Sequence, residues 1–391
     1  CQSMLVRHLL QLLAFAFALL VMDVPLTAGE SQFQSLFNGK DLSGWDPEPG
    51  LWRVKDGVIE GGHPDAGPVA KSSFMPVHRN GEDVVFKDFH LKAEFWIEDS
   101  NSGIQYRSRR LHPKFWSVGG YQYEVTGGFA TGFLYHQSHS GPHCRVGESM
   151  INRTDGGEVV GHTADQKWLY QQKFRTPDHW GRCDIICRGN HIAHFANGFP
   201  TVEYIDRDNK TEDRKRRNDD VIALQIHSAK EKFRVKYRKL FIKEFTDSYG
   251  DAQRIFNDRN LDGWTVPAAD KDSWATSPVQ RDDRDRLKVP GALVCDGSGK
   301  QQLTLTMDHG PSYIFRCQVK CNAWKPTDDA PYREVAGWNL IEVEVRNGKP
   351  HLEYNGQPRS DLPVPIAEGK IALPSDIAAE YRNLVLIPIV D

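Results

Sequence analysis

The stretch HLKAEFWIEDSNSGIQYRSR (residues 90–109) decides the fold class of this chain. In its first half, apolar residues fill every second position from Leu91 to Ile97. Its second half begins with the turn-like Asn101-Ser102-Gly103 and alternates again from Ile104. Because successive side chains of a strand point to opposite faces, the stretch predicts two β-strands, each with one apolar face.

The same alternation recurs along the chain, while no long segment has a helical period. Gly-Asn at 189–190 and Asn-Gly at 197–198 are turn signals of the kind that join antiparallel strands. The chain is also rich in glycine (33) and proline (22). Many short antiparallel strands predict an all-β protein, a β-sandwich or jelly roll. The further strand-like segments are YQYEV (121–125), RCDIIC (182–187), HIAHFANG (191–198), VIALQIHS (221–228) and FRVKYRKLFI (233–242).

Composition excludes some classes of function. The 391 residues are 39% hydrophobic and 26% charged, which is typical of a globular protein. The net charge of −3 argues against a protein that binds nucleic acid through its charge. Of the seven cysteines, the six that follow Cys1 have no metal-binding spacing, which favours buried free thiols.

The N-terminus has the pattern of a secretory leader. Arg7 precedes the apolar run LLQLLAFAFALLVM (9–22), and small residues follow it. We expect residues 1–29 to be a signal peptide, cleaved near Ala28 or Gly29, so that the mature protein has no stable membrane span. The protein would then be exported, to the periplasm or outside the cell. The alternative is an uncleaved N-terminal anchor.

An internal repeat divides the rest of the chain. LFNGKDLSGW (36–45) and IFNDRNLDGW (255–264) share five identical residues out of ten. Similar endings also recur near 245 and 389, so we predict two related domains, at 33–247 and 253–391. The second copy is shorter and lacks counterparts of NSGIQYR and GYQYEV, which indicates that these two segments serve a site in the first domain.

The predicted strands collect polar and aromatic side chains on the faces opposite their apolar ones. The simplest interpretation is a core face and a solvated face. Amides, carboxylates and rings together are, however, also the groups that hold sugars, because amides and carboxylates bond hydroxyls and rings cover apolar sugar faces. The candidate residues are Glu94, Trp96, Asn101, Gln105, Arg107, Gln122, Glu124, Tyr135, Gln225 and His227.

Several of these residues have a second interpretation. Glu124 suits a general acid or base, but a strand glutamate is more often a surface charge. Arg107 could hold an oxyanion or pair with Glu124. The loop at 134–144 offers His136, His139, His143 and Cys144, which are metal-ligand types, although its Gly and Pro oppose a helix that would present them together. No cofactor or metal ligand is assigned, and a divalent metal is left open.

Six segments resemble the 3-keto-disaccharide hydrolase domain family. The resemblance implies a concanavalin A-like jelly-roll sandwich, followed by a smaller, degenerate copy. It also implies a small carbohydrate substrate, namely a glycoside that is already oxidised at C3 of the sugar. The resemblance leaves the oligomeric state open. The segments are LFNGKDLSGW (36–45), WRVKDGVI (52–59), NSGIQYR (101–107), GYQYEV (120–125), the segment from Trp180 to Gly198, and IALQIHS (222–228).

This chemistry needs a base, a group that stabilises an enolate oxygen, and donors for sugar hydroxyls. The resemblance suggests Glu124 or His227 as the base and Arg107 for the enolate. The substrate-binding candidates are Glu94, Trp96, Asn101, Gln105, Gln122, Tyr135 and Gln225. Two alternatives are a non-catalytic carbohydrate-binding module and an ordinary retaining glucanase, but the E-x-D-x-x-E pattern expected of such a glucanase is absent.

Overall fold

The computed structural model describes residues 33–66, 68–97, 101–112, 115–126, 130–138, 143–172, 180–208, 220–228, 234–284 and 286–390. The predicted leader (1–29) and His139 lie outside these described residues.

Strands make up most of the described chain, and a single short α-helix, α1 (Gln166–Gln171), occurs among the described residues. The strands of the N-terminal part are β1 (Gln34–Ser35), β2 (Trp52–Lys55), β3 (Val58–Gly61), β4 (Ser73–Pro76), β5 (His78–Arg79), β6 (Glu82–Asp83), β7 (Val85–Phe86), β8 (Phe89–Ile97), β9 (Asn101–Arg110), β10 (Val118–Thr126), β11 (Leu134–Gln137), β12 (Glu148–Arg153), β13 (Gly156–His162), β14 (Gly181–Arg188), β15 (His191–Ala196), β16 (Phe199–Asp206), β17 (Asp220–Ile226) and β18 (Val235–Glu244).

The C-terminal part is built in the same way, with one 3₁₀ turn at Ala268–Asp270. Its strands are β19 (Ser248–Tyr249), β20 (Gln253–Arg254), β21 (Trp264–Thr265), β22 (Trp274–Ser277), β23 (Gln280–Arg281), β24 (Leu287–Val289), β25 (Ala292–Asp296), β26 (Leu303–Leu305), β27 (Tyr313–Lys320), β28 (Trp338–Arg346), β29 (Lys349–Tyr354), β30 (Gln357–Pro358), β31 (Ile366–Ala367), β32 (Lys370–Leu373) and β33 (Ala378–Val390).

The N-terminal strands form two facing sheets. The ten-stranded sheet has the order β13-β12-β16-β15-β14-β8-β18-β3-β2, with β1 beside β18. The six-stranded sheet has the order β11-β10-β9-β17-β4, with β7 beside β17. The chain passes from the ten-stranded to the six-stranded sheet between β8 and β9, and it passes back between β17 and β18. The strands β8 and β18 are neighbours in the first of these sheets, and β9 and β17 are neighbours in the second. This is jelly-roll topology, so the predicted concanavalin A-like sandwich is confirmed.

The apolar faces of these strands meet in one core. In β8 every second side chain is fully buried, as the alternation at 90–97 predicts. Leu91 and Phe95 from this sheet join Ile104 and Tyr123 from the other in a single hydrophobic cluster. The sandwich is held mainly by this burial, at about 25 cal/mol for each Å² of apolar surface removed from water.

Asn-Gly pairs make several of the hairpin turns. Asn197 and Gly198 both have positive φ angles, 51° and 84°, between β15 and β16. Asn347 and Gly348 repeat this conformation between β28 and β29, with φ angles of 48° and 75°. Asparagine tolerates this left-handed region and glycine adopts it freely, so these dipeptides fix tight two-residue connections in both halves of the chain.

A second, smaller sandwich follows the first. Its nine-stranded sheet has the order β22-β25-β33-β27-β28-β29-β30, with β19 and β20 beside β33, and its four-stranded sheet has the order β21-β26-β32-β31. Its core is a separate cluster that includes Trp264, Phe315 and Tyr381. The six cysteines, all buried, are free thiols, as the spacing indicated.

The two sandwiches touch through buried apolar and charged groups within one compact unit, Phe33–Asp391. Arg316 of β27 donates to Glu203 of β16, at 3.1 Å, and Arg188 of β14 pairs with Glu342 of β28, at 2.9 Å. The segment at 246–253, expected to be a linker, carries β19 and β20 contacts with β33. The domain boundaries themselves, 33–247 and 253–391, stay predictions.

Candidate functional site

The register of the six-stranded sheet aligns polar side chains on its outer face. Gln122 of β10 lies opposite Gln105 of β9 on one side and opposite Tyr135 of β11 on the other. Two residues further along β10, Glu124 lies opposite Gly103. Side chains two apart on a strand share a face, so these groups form one surface, which we call the polar face.

Hydrogen bonds join the side chains of the polar face into a chain. Asn101 Nδ2 donates to Oε1 of Glu124, and Gln122 Nε2 donates to Oε2 of Glu124 at 2.6 Å. Gln105 Nε2 donates to Oε1 of Gln122 at 2.5 Å, and Ser108 Oγ donates to Oε1 of Gln105 at 2.8 Å. Each side chain therefore fixes the orientation of the next, and the chain ends on the carboxylate of Glu124.

Burial perturbs the acidity of Glu124. Its side chain is 7% exposed, and removal from water raises its pKa above the ordinary value of 4.5. The bonds from Asn101 and Gln122, and the nearby His227, act in the opposite direction but are smaller. No lysine or arginine within the described residues forms a salt bridge with it. A buried carboxyl with a raised pKa and amide neighbours suits a general base.

Gly103 explains the unusual start of strand β9. A Cβ atom added here would come closer than 3.0 Å to the amide group of Gln122, which crosses over this position. The glycine therefore leaves the space through which Gln122 reaches Glu124. The turn-like Asn-Ser-Gly segment also supplies Asn101, the second donor to that carboxylate.

Gln225 and His227 extend the site onto β17 and the residues that follow it. Leu224 pairs with Ile104, so Gln225 continues the row that contains Gly103 and Glu124. Its Oε1 is buried and has no hydrogen-bond partner among the described residues. The Nδ1–H group of His227 donates to the carbonyl oxygen of Ser228, at 2.9 Å, which fixes the plane of the ring.

Arg107 does not share the polar face. It has a φ angle of 45° and lies in a β-bulge, because Gly120 pairs with Ser108 and the next residue, Tyr121, pairs with Tyr106. An extra residue in a strand reverses the alternation beyond it, so Ser108 rather than Arg107 lies beside Gln105.

The Arg107 side chain is instead fully buried against a carboxylate. Its Nη2 donates to Oδ1 of Asp88 at 3.1 Å, and the same oxygen accepts the Gly189 amide at 2.7 Å. The sequence-based alternative of a pair with Glu124 is therefore wrong. Because Arg107 points away from the polar face, the structure gives no support to a role at the enolate.

Glu94 and Trp96 belong to the other sheet. Both lie on β8, on the outer face of the ten-stranded sheet, and the core separates them from Glu124. Glu94 accepts from Arg238 at 2.7 Å and from Lys239 at 2.8 Å. The structure therefore does not bring these two candidates together with Glu124. Alternation shows which residues of a strand face out but not to which sheet the strand belongs.

Phe133 was missed in the sequence, and His143 was considered there only as a metal-ligand type. The backbone of Phe133 accepts from the Glu124 amide at 3.0 Å, which places Phe133 beside Glu124 at the sheet edge. The ring of His143 stacks on Tyr135, with ring centroids 4.6 Å apart. The signal was the spacing of Phe133 and Tyr135 in GFLYHQ, which puts both rings on one face of a short strand.

Further observations bear on metal and membrane binding. Within the described ranges, no group of three or more His, Cys, Asp or Glu side chains is arranged to hold a metal ion. None of the helices in the described part of the chain is long and apolar enough to cross a membrane.

Comparison with solved structures gives distant similarities to carbohydrate-related proteins. Two candidate glycosyl hydrolases from Parabacteroides distasonis ATCC 8503 are 18% and 16% identical to the chain, with TM-scores of 0.35 and 0.36. Each similarity covers 55% of this chain, and 94% and 100% of the other chain, respectively. The carbohydrate-binding module CBM66 from Bacillus subtilis is 10% identical over 52% of this chain and 97% of its own, with a TM-score of 0.32.

Comparison with curated proteins gave no match. Residues 32–243, more than half of the chain, match the family described as 3-keto-alpha-glucoside-1,2-lyase-like domain. The matched range contains the whole polar face, from Asn101 to His227. At a coarse level this makes the protein carbohydrate-active, with a sugar as its ligand. The chain belongs to the 3-keto-alpha-glucoside-1,2-lyase-like domain family.

Proposed function

We propose that the protein cleaves 3-keto-glycosides at the polar face, with Glu124 as the base. The observation that carries the proposal is the position of Glu124: a buried carboxylate with a raised pKa at the end of a chain of amides. A base must be largely deprotonated at the working pH and still bind a proton well, which a raised carboxyl pKa favours.

The reaction divides into an elimination and a hydration. The C3 ketone acidifies the proton on C2, and Glu124 removes it. The electron pair then forms a double bond between C1 and C2, conjugated with the ketone, while the bond from C1 to the leaving oxygen breaks. That oxygen takes up a proton. Water then adds across the double bond, with its hydroxyl on C1 and its proton on C2, so the net result is hydrolysis.

His227 is the group that we propose as the proton donor to the leaving oxygen. Its Nδ1–H bond to Ser228 leaves Nε2 as the nitrogen for proton exchange, and it interacts electrostatically with Glu124. In this proposal the amides of Gln105, Gln122 and Gln225 bond sugar hydroxyls or the enolate oxygen. Tyr135 supplies a ring for the apolar side of a sugar.

The experiment is turnover of 3-keto-glucosides and 3-keto-disaccharides, with the free sugar and the unsaturated intermediate measured by chromatography. Glu124→Gln should lower kcat/KM by about 10²–10⁴-fold, the usual contribution of a positioned base. Glu94→Gln is the matched control, since it changes a carboxylate on the opposite sheet and should keep the activity. Absence of turnover with every keto-glycoside would overturn the proposal.

One observation favours a second function, a carbohydrate-binding module without catalysis. Both oxygens of Glu124 already accept amide N–H groups, as they would in a rigid binding platform. In that case calorimetry would show sugar binding that weakens in Gln105→Ala and Gln225→Ala, and no product would form.

Export belongs to the proposal as well. The basic, apolar and small-residue zones of residues 1–29 support a cleaved leader, and the N-terminal sequence of the mature protein, read by mass spectrometry, tests it. A mature chain that still starts before residue 28 would contradict cleavage at the predicted position.

A further inference from the structure

Two cavities, which together we call the groove, lie next to Phe133 and His143, beside the edge of the polar face. Phe133, beside Glu124, lines a cavity of about 350 Å³, together with Arg145 and with Gln166 and Tyr170 of α1. Arg145 and Gln166 also line a larger cavity, of about 620 Å³. The two cavities are therefore neighbours, and both volumes lie in the range of small-ligand sites, about 300–1,000 Å³.

The second sandwich supplies the far wall of the larger cavity. Arg281, Arg286 and Lys288 of the β23–β24 hairpin line it, opposite β12 and β13 of the first sandwich. The hairpin is fixed there, because Arg281 Nη2 donates to the carbonyl oxygen of Val159 at 3.1 Å. A site confined to the first sandwich would lack this wall.

The chemistry of the groove favours a neutral chain of sugars. Phe133 and Tyr170 are rings that can cover sugar faces, and the arginines, the lysine and Gln166 are donors for hydroxyls. The larger cavity carries both signs of charge: Glu148, Glu158 and Asp165 line it beside the arginines. A wall of mixed sign gives a polyanion little electrostatic advantage over a neutral polyhydroxyl chain.

We infer that this groove binds the leaving-group side of an oligosaccharide, so that the preferred substrates carry several sugar units beyond the oxidised one. The inference rests on the proposed function for the site of cleavage. The second sandwich then acts in substrate selection, by contacting the distal sugars of the leaving group.

The first test compares substrates of different length. We would measure kcat/KM for 3-keto-glucosides whose leaving group is one glucose unit and for those whose leaving group is a chain of four. The longer substrate should be preferred by about tenfold, equivalent to one or two ring contacts. Tyr170→Ala and Arg286→Ala should each reduce this preference, whereas Lys167→Ala, an exposed residue of the same helix that lines neither cavity, should leave it unchanged.

A second measurement separates this inference from the proposed function. Calorimetry with unoxidised glucose tetrasaccharides needs no turnover, and binding that Tyr170→Ala and Arg286→Ala both weaken supports the groove even if no keto-glycoside is cleaved. Equal kcat/KM for short and long substrates, together with no tetrasaccharide binding, would overturn the inference. Tighter binding of a uronic-acid tetrasaccharide than of the neutral one would overturn the choice of a neutral chain.

Discussion

The two sandwiches have similar large sheets but different small sheets. In the first, the large sheet contains the run β15-β14-β8-β18, and in the second it contains β29-β28-β27-β33. These runs correspond strand by strand in chain order. The small sheets differ, with six strands in the first sandwich and four in the second.

Three of the six strands in the small sheet of the first sandwich come from one connection. Between β8 and β14 the chain runs through residues 98–180, which include β9, β10 and β11 of the polar face. The corresponding connection in the second sandwich is residues 321–337, all described, and it contains no strand. The similar large sheets therefore act as a scaffold, and the part of the candidate site from Asn101 to Tyr135, with Glu124, lies on the connection that only the first copy has.

The largest expected effect, and the strongest test of this comparison, is the pH dependence of kcat/KM that Glu124, the candidate base, should cause. Burial raises the pKa of Glu124, so its carboxylate forms only above the ordinary glutamate value of 4.5. Activity should therefore rise with pH as this proton is lost, and kcat/KM should fall about tenfold per pH unit below the pKa. A pH–rate profile, recorded where circular dichroism shows a folded protein, measures it.

The contradicting result is a flat profile from pH 4 to 7, which would remove Glu124 as the base. Glu353, a carboxylate of the second sandwich whose pKa burial also raises, provides the control. Glu353→Gln should leave the acid limb in place, because β29 belongs to the shared scaffold.

A large effect on stability is expected at Arg107. Its only described partners are Asp88 and the Lys87 carbonyl, and its Nε and Nη1 atoms are buried without partners among the described residues. Arg107→Ala would leave Asp88 buried beside a cavity, which costs about 3–5 kcal/mol of unfolding free energy. Chemical denaturation measures this loss.

Arg238→Ala is the control for that experiment. Arg238 pairs with Glu94 on the outer face of the ten-stranded sheet, with its side chain 35% exposed, so its loss should cost about 1 kcal/mol or less. If Arg107→Ala kept full stability and lost kcat, the original assignment of Arg107 to the enolate would return.

The substitution Gly103→Ala has an intermediate effect and isolates the polar face. The added methyl group overlaps the Gln122 amide, so it should cost about 1–3 kcal/mol and displace Gln122 from Glu124. The double variant Gly103→Ala/Gln122→Ala removes the overlap and should recover the stability but not kcat/KM. Equal recovery of both quantities would mean that Gln122 has no role at the site.

The fold was largely predictable from the sequence, because alternation and turn residues are local. The strand with Leu91 and Phe95 buried, the Asn197-Gly198 turn and the repeat around Trp45 and Trp264 all follow from patterns within about ten residues. These features depend only on backbone geometry and on which side of a strand is apolar.

The site was predictable only in part, because two of its determinants are not local. Gln105, Gln122 and Glu124 were found because they alternate with apolar residues along their own strands, and the structure aligns those strands. The bulge at Arg107 shifts the alternation by one residue, and nothing in IQYRSR marks it. Glu94 was misplaced because the pattern of a strand does not tell which of two sheets the strand joins. That choice depends on contacts between residues far apart in the chain.

The smallest effect is expected where the two copies agree. The indole N–H of Trp45 donates to the Leu36 carbonyl at 2.9 Å, and that of Trp264 donates to the Ile255 carbonyl at 3.0 Å. Trp45→Phe and Trp264→Phe each remove one such bond, so each should cost about 1 kcal/mol, as measured by denaturation. Because both bonds hold the same turn in a duplicated scaffold, the two losses should agree within about 0.5 kcal/mol. A much larger cost at Trp45 would mean that the first copy has come to depend on this turn for its polar face, and kcat/KM of Trp45→Phe would then fall as well.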